Sequence, residues 1–325
     1  MKHSNYSRRE FLKLVGLGSA AITLPVNFVF GRANKTPDQL PNIVYILSDD
    51  IGYGDIGAYH RILSEDEPVI PTPNLDRLSG NGMMFMDAHT PSALSAPTRY
   101  SSLTGNYPFR GRKQWGVWLS YQPSNILDDQ RTVAQVLKTA GYRTSFFGKW
   151  HIGGDWYNKS GEIVNRDWGD PEPAISKGYA KDGPIGQGFD YSCVLPAGIQ
   201  HSPYAFFERD QWMKLKPDSK IIHWDKGKYG YSRIPKAGKG DSGWDSSEVG
   251  PKLARKAVKF IDDHRRKSPS KPFLLYYCSQ AVHVPHTPPK RFNATEIRDT
   301  TISHHADMIY ELDQQVGMIL DKLKN

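Results

Sequence analysis

Hydrophobic residues form short continuous runs in this chain, and these runs predict strands. Residues 42–47, 144–147 and 273–278 are mostly apolar and rich in side chains that favour strands. A run of this kind is typical of a strand that is buried in a parallel sheet. Residues 83–86 predict a further strand, which leads toward Ser95.

In other segments apolar residues recur every three or four positions, as on the buried face of a helix. One long helix is predicted from about Glu248, and another over residues 304–324. A shorter helix is predicted after Thr72, with Pro73 at its first position, and another over residues 129–140 that Gly141 ends. The predicted core positions of the long helices are Leu253, Ala254, Ala257, Val258 and Ile261 in the first, and Ile309, Leu312, Val316, Ile319, Leu320 and Leu323 in the second.

The segment from Gly153 to Trp244 shows neither pattern and is rich in Gly, Pro, Lys and aromatic residues. It is too long for a structureless connection inside a compact domain. We therefore expect small strands and loops that form the rim of a site. Its tryptophans either pack in the interior or stack on sugar rings, and the pattern leaves both open. These residues are Trp156, Trp168, Trp212, Trp224 and Trp244.

The N-terminus predicts an export signal. Ser7 to Lys13 carries the twin arginines Arg8 and Arg9, and an apolar stretch interrupted by Gly and Pro follows as far as residue 30. Such a stretch is typical of a signal peptide rather than of a membrane span. We expect residues 1–33 to be a twin-arginine signal peptide, and the protein to be periplasmic or secreted.

Composition narrows the function class. A chain of 325 residues with 38% hydrophobic residues can bury a large core, and a mean hydropathy of −0.58 excludes a polytopic membrane protein. The formal charge is +8, but residues 1–33 hold five bases and one acid, so only +4 remains for the rest. That charge suits anionic substrates and is too small to indicate a nucleic-acid partner. Cys193 and Cys278 are expected to be buried thiols, with a single bridge left open.

The segment from Pro91 to Gly105 carries the strongest chemical signal. Ser95 is placed beside the start of a helix, where backbone N–H groups are unpaired and the helix dipole is positive. Arg99 follows one turn later and can lean back over Ser95. A hydroxyl beside a cation and a helix N-terminus favours an anion.

Polar residues also follow the predicted strands. Asp49 and Asp50 come after the first strand, where hard oxygen ligands suit Ca²⁺ or Mg²⁺. Lys149 and His151 follow the second strand and combine a cation with a titratable nitrogen. His283 and His286 follow the third strand, but the proline between them predicts a loop rather than a helical metal pair.

Taken together, these motifs resemble the type I sulfatases. Ser95, Pro97, Arg99 and Leu103-Thr104-Gly105 match that family's signature in register, as do residues 72–78 and 148–151. The resemblance implies an α/β fold, an alkaline-phosphatase-like sandwich with a mostly parallel central sheet between helices. It also implies that an anaerobic maturase oxidises Ser95 to formylglycine, because Ser stands where other members have Cys.

The resemblance assigns roles to seven residues. Asp49, Asp50 and Ser95 are implied as metal ligands, for Ca²⁺ or alternatively Mg²⁺. Lys149 and His283 are implied to bind the sulfate, and Arg99 to fix the hydrated aldehyde. His151 is implied to deprotonate the remaining hydroxyl once the alcohol has left, so that sulfate is expelled and the aldehyde is regenerated. The implied function is hydrolysis of sulfate esters on sulfated carbohydrates or aryl sulfates. Residues 188–204 resemble N-acetylgalactosamine-6-sulfatases in particular.

The resemblance covers about the first two-thirds of a sulfatase. Residues 34–325 are therefore expected to be a truncated N-terminal catalytic domain, without the family's Asp-Asn metal ligands and second catalytic lysine. We expect such a chain to be inactive alone, with the apolar face of its last helix uncovered. Two alternatives remain open: a phosphodiesterase or phosphonate hydrolase of the same superfamily, and a catalytically incompetent fragment that binds sulfated glycans.

Overall fold

The computed structural model describes residues 40–164 and 174–324. The predicted signal peptide and Trp168 lie outside the described residues. Every helix and strand of the described part belongs to the unit that begins at Pro41. Among the described residues, none of the helices combines the length and the apolar character needed to span a bilayer.

A six-stranded sheet forms the centre of the fold. Its strands are β1 (Ile43–Leu47), β2 (Arg143–Lys149), β6 (Tyr191–Leu195), β7 (Phe206–Glu208), β8 (Gln211–Met213) and β13 (Phe273–Cys278). Their order is β1-β13-β2-β6-β7-β8, with the first four strands parallel and the last two antiparallel to their neighbours. The predicted mostly parallel sheet is confirmed.

In the described residues, six helices accompany the sheet. They are α1 (Gly57–Leu63), α2 (Pro73–Gly80), α3 (Ser95–Thr104), α4 (Val133–Thr139), α5 (Val249–Lys267) and α6 (His304–Lys324). Short 3-10 turns cover Tyr53–Asp55, Pro108–Arg110, Ile175–Lys177 and Ser246–Glu248.

Strand β13 shows how the sheet separates two cores. Its residues alternate, so Leu275 and Tyr277 pack on one face with residues of α5 and α6. Leu274 and Tyr276 pack on the other face with residues of α3 and α4. Helices therefore cover both faces of the sheet, as the predicted sandwich requires.

Residues 153–244 contain small strands, as predicted. Outside the central sheet, these strands are β3 (Asp155–Tyr157), β4 (Ile163–Val164), β5 (Tyr179–Lys181), β9 (Ile221–Trp224), β10 (Gly227–Tyr229), β11 (Ser232–Ile234) and β12 (Gly238–Asp241). Two further short strands, β14 (Arg291–Phe292) and β15 (Thr295–Glu296), pair before α6.

Of the described tryptophans of this segment, Trp156 and Trp244 are packing residues. Trp156 and Trp244 are buried, and Trp212 and Trp224 are half-buried. The indole N–H of Trp156 donates to the backbone oxygen of Ser120, and those of Trp212 and Trp224 donate to Asp241. The indole N–H groups of Trp156, Trp212 and Trp224 thus bond inside the fold. Burial of the rings excludes the stacking alternative for Trp156 and Trp244.

Five predicted boundaries or placements were wrong. Residues 83–86 form no strand, and Met83 and Phe85 are exposed instead of paired. Helix α4 begins at Val133 because Thr132 and Gln135 form a capping box there. Strand β2 continues to Lys149, and α3 already begins at Ser95. Strand β1 is half-buried at the sheet edge, since β13 is its one neighbour among the described strands.

The last helix also differs from expectation, because its apolar face is covered. Leu312, Val316 and Ile319 are buried in the same core as α5, and Leu323 is half-buried against it. The predicted uncovered face is therefore wrong. The prediction of buried thiols is confirmed: Cys193 and Cys278 are free and pack on opposite faces of the sheet.

Candidate active site

Ser95 is the first residue of helix α3, at its N-terminus. Arg99 lies one turn along and leans back, so that its Nε donates to Ser95 Oγ at 3.0 Å. A second nitrogen of Arg99 donates to the backbone oxygen of Lys149 at 2.9 Å. Arg99 is only 2% exposed, so both contacts lie inside the protein.

Asp49 links Arg99 to Lys149. Lys149 Nζ donates to one carboxylate oxygen of Asp49 at 2.6 Å, and Arg99 lies 3.3 Å from the other. Burial alone raises the pKa of Asp49, but the two cations outweigh it and hold that pKa well below its usual range. Burial lowers the pKa of Lys149 to about 8, although the Asp49 charge opposes this shift.

His151 also contacts Ser95. Its Nδ1 lies 3.3 Å from Ser95 Oγ, and its backbone N–H donates to Pro196. Burial lowers the pKa of His151 well below its usual value, and the charges of Lys149 and Arg99 lower it further. The imidazole is therefore neutral near pH 7 and is able to accept a proton from residue 95.

The parallel strands bring these groups to one edge of the sheet. Asp49 follows β1, Lys149 ends β2, and the loop with His283 follows β13. Backbone bonds join the first and third of these segments, since Asp49 N–H donates to Ala281 and Val282 N–H donates back to Asp49. His283 Nε2 lies 3.6 Å from the exposed carboxylate of Asp50. All seven predicted site residues therefore meet at this edge.

Two cavities open beside Ser95. A cavity of about 290 Å³ is lined by Asp49, Asp50, Ser95 and Arg99. Another, of about 420 Å³, is lined by Ser95, His151 and His283. The hydroxyl of Ser95 thus lies between a space suited to a small ion and a space large enough for part of a sugar.

Three residues that line the larger cavity were not predicted as site residues from the sequence: Gln200, His201 and Lys236. They come from loops after β6 and between β11 and β12, within the segment predicted as the rim. Burial and the neighbouring charge of Lys236 lower the pKa of His201 to about 4. No spacing signal pointed to them, because the folding of this segment alone brings them to the cavity.

The smaller cavity fits a divalent cation. Asp49, Asp50 and Ser95 present hard oxygen donors to the same space, which is the chemistry that Ca²⁺ and Mg²⁺ prefer. Asp299, His304 and Asp307 form another acidic grouping, at the start of α6. There the Asp307 carboxylate accepts the N–H groups of Asp299 and Thr301, which accounts for its burial without an ion.

The family follows from comparison with known proteins. The sulfatase family model matches residues 41–325. The chain belongs to the sulfatase family. The predicted family membership is therefore confirmed.

Curated sulfatases are similar to this chain over most of its length. An N-acetylgalactosamine-6-O-sulfatase of Bacteroides thetaiotaomicron is 31% identical over 90% of this chain and 57% of its own. The N-acetylgalactosamine-6-sulfatase of Rattus norvegicus is 29% identical over 94% of this chain and 50% of its own. Arylsulfatase G of Mus musculus is 28% identical over 96% of this chain and 54% of its own. The chain thus spans about half the length of these relatives.

Solved structures agree on the fold. A chain from work on the metabolism of multiple glycosaminoglycans by Bacteroides thetaiotaomicron has a TM-score of 0.68 and 29% identity. The match covers 88% of the chain described here and 59% of the chain from Bacteroides thetaiotaomicron. The protein Ps i-CgsB, solved with a neocarrahexaose, has a TM-score of 0.59 and 23% identity over 88% of this chain and 55% of its own. The latter similarity shows the shared fold alone.

Proposed function

We propose that this sulfatase chain carries the reactive part of a site that hydrolyses sulfate esters. The placement of Ser95 supports this proposal most directly. Its Oγ receives a hydrogen bond from Arg99 and lies beside the neutral imidazole of His151, with Lys149 buried next to them. Such a site offers a nucleophile position, a base and fixed positive charge, which are the parts that sulfuryl transfer to residue 95 requires.

The proposed substrate is a glycan that carries 6-sulfated N-acetylgalactosamine. The names of the relatives from Bacteroides thetaiotaomicron and Rattus norvegicus support this assignment. The larger cavity beside Ser95, with a volume of about 420 Å³, supports it as well, because a sulfate group alone does not need so much space.

In the proposed reaction, His283, which lines the larger cavity, binds the sulfate oxygens, and the charge of the fully buried Lys149 offsets the negative charge that develops on them. Arg99 fixes the reactive oxygen of residue 95 through its Nε and is itself held by the backbone of Lys149. Conversion of Ser95 to formylglycine would supply a hydrated aldehyde as the nucleophile. After this nucleophile has attacked the sulfur and the alcohol has left, His151 accepts a proton at Nδ1 from the remaining hydroxyl group of residue 95, so that sulfate leaves and the aldehyde is regenerated.

A divalent cation, Ca²⁺ or alternatively Mg²⁺, belongs to the proposal. Asp49, Asp50 and an oxygen of residue 95 would hold it in the smaller cavity, where it would supply positive charge beside the nucleophile. Lys149 and Arg99 keep the Asp49 carboxylate ionised, which this role requires.

The export and maturation partners are proposals as well. We propose that residues 1–33 direct the protein through the twin-arginine translocase to the periplasm or beyond. That route carries folded proteins, so an anaerobic maturase could oxidise Ser95 before export. Residues 34–325 would then be the mature catalytic portion.

Mass spectrometry of the peptide that spans Ser95 tests the proposal. Co-expression with a serine-type maturase should remove two hydrogens from Ser95, and hydrolysis of an aryl sulfate by the complete protein should depend on that change. Ser95→Ala should abolish turnover, whereas Ser102→Ala on the same helix should retain it. Turnover with wholly unmodified Ser95, or a preference for aryl phosphate over aryl sulfate, would contradict the proposed function.

A further inference from the structure

The larger cavity has a wall that the proposed reaction does not use. The cavity extends from Ser95 and His151 to His201 and Lys236. Its volume of about 420 Å³ lies within the range of roughly 300–1,000 Å³ that is usual for ligand pockets. A sugar with its sulfate at Ser95 therefore has a neighbouring surface to contact.

Hydrogen bonds fix this wall in place. The fully buried Tyr204 donates its hydroxyl to the backbone oxygen of Lys236 at 2.6 Å and accepts the Lys236 N–H at 3.3 Å. Ser120 donates to the backbone oxygen of Ser202 at 2.6 Å, which anchors the loop with His201. The backbone of Lys236 is therefore held while its side chain stays exposed at the cavity.

Among its described residues, the cavity lining carries one carboxylate and one lysine, and these two are not paired with each other. Asp50 is the one carboxylate among the described lining residues, and it faces His283. In the described part of the chain, no carboxylate forms an ion pair with Lys236. His201, half-buried beside it, adds no charge near pH 7 because its pKa is lowered to about 4. The exposed ammonium group of Lys236 is thus available at the cavity to pair with an anionic group of a ligand.

We propose that Lys236 binds an anionic substituent on the sugar next to the sulfated one, either a uronate carboxylate or a second sulfate ester. This inference rests on the proposed function, because it assumes that a sulfated sugar occupies the cavity at Ser95. It makes Lys236 a specificity-determining residue and the preferred substrate a polyanionic glycan.

Calorimetric titration of unmodified protein in the presence of calcium tests the proposal, because unmodified Ser95 does not turn the ligand over. Three 6-sulfated N-acetylgalactosaminyl disaccharides are compared, in which the neighbouring sugar is neutral, carries a carboxylate or carries a second sulfate. The variants are Lys236→Gln and, as a control with the same change in charge, Lys228→Gln on the exposed strand β10.

The wild-type protein should bind at least one of the anionic ligands about threefold to fivefold more tightly than the neutral one, as expected for a partly exposed ion pair. The preferred ligand identifies the substituent. Salt should reduce the difference. Lys236→Gln should remove the preference, and Lys228→Gln should keep it. A preference that persists in Lys236→Gln, or that the wild type lacks, overturns the proposal.

An unsulfated uronate disaccharide separates this proposal from the proposed function. If this ligand binds as tightly as its sulfated counterpart and its binding depends on Lys236, the proposal for Lys236 is supported and the proposed sulfate site at Ser95 is contradicted. If the sulfated ligands bind equally well whatever their neighbouring sugar carries, the anion site fails and the proposed function is unaffected. Absence of binding by every ligand overturns both.

Discussion

The charges of three buried residues at the site do not fully cancel. Arg99 and Lys149 both contact the carboxylate of Asp49, and each of the three is at most 4% exposed. Two cations against one carboxylate leave an excess positive charge next to Ser95. The excess positive charge of these three residues favours an anion beside Ser95, such as the sulfate group of the proposed substrate, whereas the cation proposed above also needs the second carboxylate, of Asp50.

Arg99→Lys should show that the shape of the guanidinium group matters as well as its charge. Lysine keeps the charge but cannot donate to Ser95 Oγ, Lys149 O and Asp49 together, so buried acceptors lose their donors. We expect a loss of about 1–3 kcal/mol in the free energy of unfolding, measured by urea denaturation. The same change at exposed Arg61, which pairs with Asp76, should have a far smaller effect. Equal losses would contradict the geometric role of Arg99.

Among the elements, the junction of β2 and β13 sets the position of Lys149. Gly148 pairs with Cys278 at the ends of these strands and has φ of 103°. A Cβ on Gly148 would lie 1.8 Å from the backbone oxygen of Cys278. The two strands therefore approach each other here as closely as only glycine allows, and Lys149 follows immediately.

Gly148→Ala should destabilise the protein by about 3 kcal/mol or more, because both the positive φ and the contact with β13 oppose a side chain. Gly141→Ala is the matched control. Gly141 also has a positive φ, of 87°, but a Cβ there meets nothing within 4 Å. Its expected cost is about 1–2 kcal/mol, from the backbone conformation alone. Urea denaturation of both variants separates the two causes, and similar losses would show that the close approach costs nothing.

Elements with a continuous apolar run or a clear helical period could be predicted from the sequence. The strand at residues 273–278 and the helix at residues 304–324 have the predicted bounds. Residues 83–86 have the same apolar character but no neighbouring strand to pair with, so they form none. Local pattern identifies a strand only where the tertiary structure supplies a partner.

The site could be predicted to the extent that its residues lie in motifs. Ser95 and Arg99 are four residues apart on one helix, and Lys149 and His151 lie at the end of one strand. Their spacing in the sequence therefore predicts that each pair lies together. Lys236 and His201 reach the cavity through loops that Tyr204 and Ser202 anchor. That arrangement depends on contacts between distant residues, which no spacing encodes.

Across the whole chain, helix α6 connects the sheet with the start of α2. Asp313 accepts the N–H groups of Asn74 and Leu75 at the start of α2, more than 200 residues away in sequence. Gln315 accepts the hydroxyl groups of Tyr277 on β13 and of Ser279 in the loop that follows. Among the described residues, this polar network thus joins the longest helix, α6, to the start of α2 and to the sheet.

This network contains a carboxyl group that makes stability depend on pH. Glu311 is 1% exposed and contacts Gln315, and burial raises its pKa from 4.5 to about 8, although the hydrogen bond from Gln315 opposes the shift. Between these pH values the folded state holds a proton that the unfolded state has lost. Stability therefore falls as pH rises from about 4.5 to 8, and the loss is complete above pH 8.

Glu311→Gln should remove this loss, because the amide stays neutral and its oxygen still accepts from Gln315. The stability difference between variant and wild type should grow steadily from pH 5 to 8 and then level off, as measured by urea denaturation at each pH.

Other buried groups also titrate in this range: the raised pKa of Asp210, about 6, acts in the same direction, whereas the lowered pKa of His201 acts oppositely. Both are common to the two proteins and cancel in the difference. The exposed Glu65→Gln serves as the control for the change from a carboxylate to an amide. A constant difference for Glu311→Gln would mean that Glu311 is ionised in the folded protein throughout, with its charge compensated inside the network.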